Sequence, residues 1–273
     1  MSYARICLSL LLGAALAVPG PPHPPPATAA VPSAAAPAPS MVAAYSVYDR
    51  VTGRLVRAHN GNLRFRSASV VKLLIALDHL WSREPAALPA ADRARLTAML
   101  RSSDDGAASH FWGRNGSRRI VSRMVARLGL TATAPPPASM PGWWGYTAMT
   151  AHDTVRVYRY ILRARPSVRT FLMANLHRAT ARGADGFDQR YGVLAFAPPR
   201  AAKQGWSGFG GGPPAGAHVP GLDLHREALH STGTASRGDR HLIAIYTLHA
   251  RGTTPATART RVTQIARALF TAN

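Results

Sequence analysis

Cysteine, lysine and glutamate are almost missing from this 273-residue sequence, which holds one Cys, two Lys and two Glu. The one cysteine, Cys7, sits near the N-terminus. That excludes a disulfide scaffold, a Cys-based zinc site and a cysteine nucleophile in the body of the chain. Aromatic residues are only 7%, so the core must be mainly aliphatic. Charged residues are 16% against 47% hydrophobic, a balance that fits a globular domain and not a disordered chain. No apolar run after residue 20 reaches the length of a membrane-spanning helix. Acids are also scarce: Asp+Glu 12 against Lys+Arg 33 gives a net charge of +21.

The N-terminus is an address. Ile6 to Val18 is an unbroken apolar run, preceded by Arg5 and too short to span a bilayer permanently. Ala27-Thr28-Ala29 is the preferred cleavage site, so residues 1–29 are expected to be a signal peptide. Cys7 lies inside the apolar run, which is no place for a lipid anchor. Residues 30–40 continue a Pro/Ala-rich stretch and are expected to be a disordered spacer. The folded domain is then 41–273, an exported protein with no cysteine. Its positive charge suits an anionic surface such as a cell-wall polymer. Export and the scatter of arginines, without a basic run or a Cys/His finger, argue against nucleic acid.

The body reads as strands, helices, then strands. Met41–Arg50 and Arg54–His59 flank a turn at Val51-Thr52-Gly53. Helical patterns cover Ser69–Trp81, Ala90–Arg101, Asp105–Trp112, Ser117–Leu128 and Ala151–Arg163, the last opened by Thr150 and Asp153 as a capping pair. Ala201–Trp206 is a short strand candidate, and Ser207–Pro220 is a Gly/Pro-rich loop. Leu229–Ser236 and His241–Leu248 are strand-like, and Thr257–Phe270 is an amphipathic helix. Strands at both ends imply an α+β fold. One antiparallel sheet is completed by both termini, and a helical subdomain of about 69–200 is inserted between them.

Lys72 and Lys203 survive in a sequence whose other cations are Arg. Arg cannot release its proton, whereas Lys can where its charge is disfavoured. Lys72 follows Ser69 by three residues, which on a helix puts amine and hydroxyl on one face. A neutral Lys72 would take the Ser69 proton. That requires a fall of roughly 3 pH units from ~10.4, about 4 kcal/mol, which burial and a neighbouring cation can supply. Two further clusters follow: Ser103-Asp104-Asp105 and Lys203-Gln204-Gly205-Trp206.

These three motifs in this order resemble the penicillin-recognising serine hydrolases, closest to the class A β-lactamases, over about residues 42–272. The resemblance implies a five-stranded antiparallel sheet with flanking helices. It implies Ser69 as acylated nucleophile, Lys72 as its base and Ser103 as proton relay to the leaving group. Lys203 would attract a substrate carboxylate. Asp105, Gln204, Gly205 and Trp206 would line the substrate, with the backbone N–H groups of Ser69 and Trp206 as oxyanion hole. No cofactor or metal is implied, and a monomer is expected.

Three positions depart from the family pattern. Asp105 stands for an Asn, and an ionised carboxylate cannot donate to a substrate carbonyl. Gln204 stands for a hydroxyl residue. The loop Pro135–Tyr146, where class A enzymes place a deacylating Glu, has no acid. Deacylation is therefore expected to be weak, whether the substrate is a β-lactam or a peptidoglycan-derived amide. The alternative is a non-catalytic wall-binding protein on the same fold, secreted and cell-wall associated. Trp143-Trp144 fits a cleft wall or a packed loop. His225 and His230 lack the spacing of a tight metal pair.

Overall fold

A computed structural model of the chain describes residues 40–271. The expected signal peptide, and the spacer up to Pro39, lie outside the described residues. The N-terminal hairpin forms as the alternation predicts: β1 (Met41–Asp49) turns at Gly53 into β2 (Arg54–His59). Gly53 has φ +70, a conformation that a β-carbon disfavours. A short β3 (Phe65–Arg66) precedes α1 (Lys72–His79), α2 (Ala90–Arg101), α3 (Asp105–Arg114) and α4 (Arg118–Leu128). Then come β4 (Ala148–Met149), α5 (Ala151–Ile161) and α6 (Pro166–His177). The chain returns to the sheet as β5 (Arg200–Ser207), β6 (Glu227–Ala235) and β7 (His241–His249), and ends in α7 (Pro255–Thr271).

The main sheet is five-stranded and antiparallel, in the order β2-β1-β7-β6-β5. Both ends of the chain therefore build it, in agreement with the strand pattern. β6 is buried along its whole length, because both faces of the sheet are covered. Period-two alternation divides β7 between two cores. Leu242, Ala244, Tyr246 and Leu248 face the helical layer of α1–α6. Ile243 and Ile245 face the other way, with Val262 and Ala266 of α7. Gly233 of β6 is required, because a Cβ there would meet the Ala201 carbonyl oxygen at 1.9 Å.

Three local features differ from the sequence reading. The helix expected from Ser69 starts as a 3-10 turn at Ala68–Val71, and regular α geometry begins only at Lys72. The pair β3–β4, with Phe65 opposite Met149, is an addition to the expected elements. So is α6, whose proline at the first helical turn and buried Val168, Leu172 and Leu176 are nonetheless helix signals. The capping reading at α5 matches the structure: Asp153 N–H donates to Thr150 Oγ1 at 3.1 Å. The Asp153 carboxylate accepts from Thr131 N, Ala132 N and Thr133 Oγ1. Asp153 thus pins the chain after α4 and is fully used. Among the described residues no helix is long and apolar enough to cross a membrane.

Candidate active site

The turn that carries Ser69 is held from both sides. Ser67 N–H donates to the Thr147 carbonyl at 2.8 Å, extending β3–β4. Ala68 then takes φ +44, an uncommon value for a residue with a β-carbon. On the other side β5 closes in. A Cβ on Gly205 would lie 3.1 Å from Ser67 O and 3.4 Å from Ser69 N, so a side chain there would push the strand and the turn apart by a few tenths of an ångström. Ser69 is 5% exposed and opens into a cavity of about 410 Å³.

Lys72, Ser103, Asp105 and Lys203 converge beneath it. Lys72 Nζ is 2.8 Å from Ser69 Oγ, 3.1 Å from Ser103 Oγ, 2.5 Å from the Ser103 carbonyl and 2.5 Å from Asp105 Oδ1. Lys203 Nζ reaches the same Ser103 Oγ at 2.8 Å. One hydroxyl therefore bridges two amines. Ser103 does so from a left-handed backbone (φ +60) between α2 and α3. Strain of that kind persists only where the surroundings impose it. Asp104 next to it caps α3, its carboxylate accepting from Ala107 N–H at 2.7 Å.

Both lysines are driven toward the neutral form. Burial lowers the Lys72 pKa, against the opposing pull of Asp105. Burial lowers Lys203 further, and the Lys72 charge beside it adds to the effect. Asp105 reaches in from the rim: its side chain is 71% exposed, while Lys72 is fully buried. The Trp144 ring lies over Lys72 Nζ, 4.7 Å from the centroid. The loop that lacks an acid thus places an aromatic face against the amine.

One expected contact is corrected. Gln204 follows Lys203 on a strand, so its side chain points to the opposite face. There it is fully buried, and its amide donates to the carbonyls of Gln189 and Tyr191. It offers no side chain to a ligand in the cavity. Trp206 lines the cavity, with Nε1 held by Asp185 at 2.8 Å and its ring stacked on Phe187. Sequence reasoning missed Asp185, and also Arg66. The buried Arg66 guanidinium donates to the carbonyls of Asp223, Ser207 and Arg226 behind the cavity wall. The two open readings of Trp144 resolve as a cleft wall that also covers the amine.

A larger open groove of about 960 Å³ runs between α2 and α6, but among the described residues no lysine, histidine or acid lines it. It lacks a nucleophile with a base. Among the described residues no group of three or more His, Cys, Asp or Glu is arranged to hold a metal ion. His230 is buried among strands. Its Nε2–H donates to the Arg66 carbonyl, and its Nδ1 accepts from Thr247 N–H.

No protein-family model matches the chain. The protein named "Putative lipoprotein LppW" from Mycobacterium tuberculosis is 35% identical over 235 residues, spanning 82% of this chain and 68% of the relative. The protein of the same name from Mycobacterium bovis matches equally. The chain belongs to the LppW family. Its fold is that of the class A β-lactamases and related penicillin-recognising proteins. A β-lactamase from Chitinophaga pinensis matches with a TM-score of 0.63 at 14% identity, over 84% of this chain and 93% of that one. The structure of PBP-A matches at 0.61 and 13% identity, over 86% and 92%. At such identities the likeness concerns the backbone. The chemistry of this LppW-family member has to be read from its own side chains.

Proposed function

We propose that this protein is an exported serine hydrolase that forms an acyl-enzyme on Ser69. The observation that carries the reading is the Ser103 hydroxyl set between two buried lysines, one of them 2.8 Å from Ser69 Oγ. Ser69 Oγ adds to the acyl carbon of an amide or β-lactam, and its proton passes to neutral Lys72. The backbone N–H groups of Ser69 and Trp206 face the oxyanion. Collapse breaks the bond to the leaving nitrogen, which takes a proton from Ser103, replenished from the Lys72 ammonium. Water must then add to the ester. Among the described residues the only acid lining the cavity is Asp105, already bound to Lys72, so the acyl-enzyme is expected to be long-lived.

The apolar run Ile6–Val18 and a relative named as a lipoprotein both support an exported, envelope-associated protein. Intact-protein mass spectrometry after incubation with benzylpenicillin or a fluorophosphonate tests the reading. A single adduct on the native chain, absent from Ser69→Ala, is the expected result. Labelling that persists in Ser69→Ala would sink it.

A second reading rests on a different surface. Arg127, Arg156, Arg159 and Arg163 line a groove of about 290 Å³ between α4 and α5. Among the described residues Arg163 has no side-chain partner, and Arg159 Nε is buried without one. Such a groove suits an anionic wall polymer and would serve a non-catalytic binding protein as well as an enzyme. It predicts co-sedimentation with anionic wall polymer in Ser69→Ala and wild type alike, and no acylation of either.

A further inference from the structure

The cleft above Ser69 is built differently from the rest of the molecule. The sequence holds 31 arginines, yet among the described residues none lines this cavity. Its walls are the aromatic rings of Trp143, Trp144, Tyr146 and Trp206, with Trp143 stacked on Tyr146 at 5.2 Å. Among the described residues the single charged one lining it is Asp105.

The cations nearby are withdrawn from it. Lys72 and Lys203 are 0% and 1% exposed and lie below the floor. Arg66 spends its guanidinium on backbone carbonyls and the Ser207 hydroxyl. Gln204 is turned away, so among the described residues that side offers no charged donor to a substrate carboxylate. Asp105 is the reverse case. Its Oδ1 meets Lys72, while Oδ2 has no partner among the described residues and the side chain is 71% exposed. A free carboxylate oxygen among aromatic faces is the chemistry that recognises an ammonium group.

We propose that the acyl donor taken by this cleft carries a positively charged amine one or two carbons from the scissile carbonyl, bound by Asp105 Oδ2 among the aromatic rings. The inference rests on the acyl-Ser69 reading above. The short tether follows from position: Asp105 is joined to Ser69 Oγ through one Lys72 amine, so an amine within its reach must lie close to the acyl carbon. The contact also bears on the chemistry. A cation on Oδ2 shares the negative charge that holds the Lys72 proton. A bound cationic substrate therefore loosens that proton and readies the base.

The test uses the full chain and matched p-nitrophenyl esters of alanine (both enantiomers) with a free or an N-acetylated amine. Acylation is read as the release of p-nitrophenolate at pH ~6, where an α-amine carries its proton. With each rate divided by that ester's uncatalysed hydrolysis at the same pH, the better enantiomer of the free-amine ester should acylate roughly ten- to hundredfold faster than its N-acetyl partner, the size of one charge-assisted contact. Asp105→Asn should bring that ratio near one, and Asp105→Glu should restore much of it. The N-acetyl ester reacting as fast as the free amine, while a neutral fluorophosphonate still labels Ser69, overturns the inference alone. A preference that survives in Asp105→Asn overturns it too. Failure of the esters and the fluorophosphonate alike removes the acyl-enzyme reading, and the inference with it.

Discussion

The floor of the cleft and the face between α4 and α5 both gather cations, and each handles them differently. Below Ser69 the cations are lysines, fully buried, side by side on one hydroxyl. Between α4 and α5 they are arginines in a groove open to solvent, partly balanced by Asp78 and Asp153. Burial lowers both lysine pKa values, so the cleft converts charge into basicity. An arginine cannot make that conversion. Arg66 shows what the alternative requires, since its buried guanidinium is kept in place by three backbone carbonyls. In a sequence that uses arginine almost everywhere else, the two lysines stand buried side by side, where the proposed acylation asks an amine to lose its proton.

The sharpest way to break this contrast is to put the outer cation into the floor. Lys72→Arg keeps a positive charge that cannot be given up. Acylation of Ser69 should fall by about 10²–10⁴-fold, the contribution of a general base. Thermal melts of the same preparation show whether the fold survives. An acylation rate within a few-fold of wild type would mean that Lys72 is not the base.

His230, hydrogen-bonded to the carbonyl of Arg66 on the strand that leads into the Ser69 turn, is a third treatment of a titratable group. It is buried neutral, and desolvation pushes its pKa down to about 3. The unfolded chain binds this proton near pH ~6.5 and the folded chain does not. Stability should therefore fall as pH drops from ~6.5 toward about 3, by about 1.4 kcal/mol per pH unit for this group. His249, lowered to about 4, adds to the same slope. Melts at pH ~7 and ~5 measure it. His230→Gln should flatten the difference, and an equal slope in both proteins would exclude His230 as the source.

Asp105→Asn sharpens the contrast from the other side. Asp105 is the largest influence that holds Lys72 in its charged form. Acylation by an uncharged reagent should rise with pH through the Lys72 pKa, with a midpoint below the ordinary lysine value. Removing the carboxylate should move that midpoint lower. The rate at neutral pH should then rise, by about tenfold for every pH unit through which the midpoint falls. A midpoint that moves upward would mean that Asp105 assists the base.

Much of this arrangement is legible in the sequence, for particular reasons. Ser69 and Lys72 are three residues apart, so local geometry alone brings them together. The hairpin at Gly53 and the cap at Thr150 are likewise local. The position of Gln204 is also local, since strand alternation separates it from Lys203. The family pattern nonetheless groups the two as substrate contacts. Trp144 over Lys72 and Asp185 against Trp206 are of another kind. They depend on how irregular loops settle against distant elements, for which no periodicity exists. α6 is legible after the fact from Pro166 and the spacing of Val168, Leu172 and Leu176, with Asn175 the polar residue on its buried side.

The smallest effect belongs to the outer face. Arg159 and Arg163 carry the unpartnered groups of the groove among the described residues, and Arg159 also lies over the Tyr48 ring at 4.5 Å. If the groove holds anionic polymer, the double variant Arg159→Gln/Arg163→Gln should reduce retention on immobilised polyanion severalfold and make it less sensitive to salt, because two ion contacts are lost. An unchanged salt dependence would assign the attraction to the net charge of +21 spread over the whole chain. The groove would then be a consequence of arginine-rich composition, and the cleft would remain the one place where cations were selected by kind.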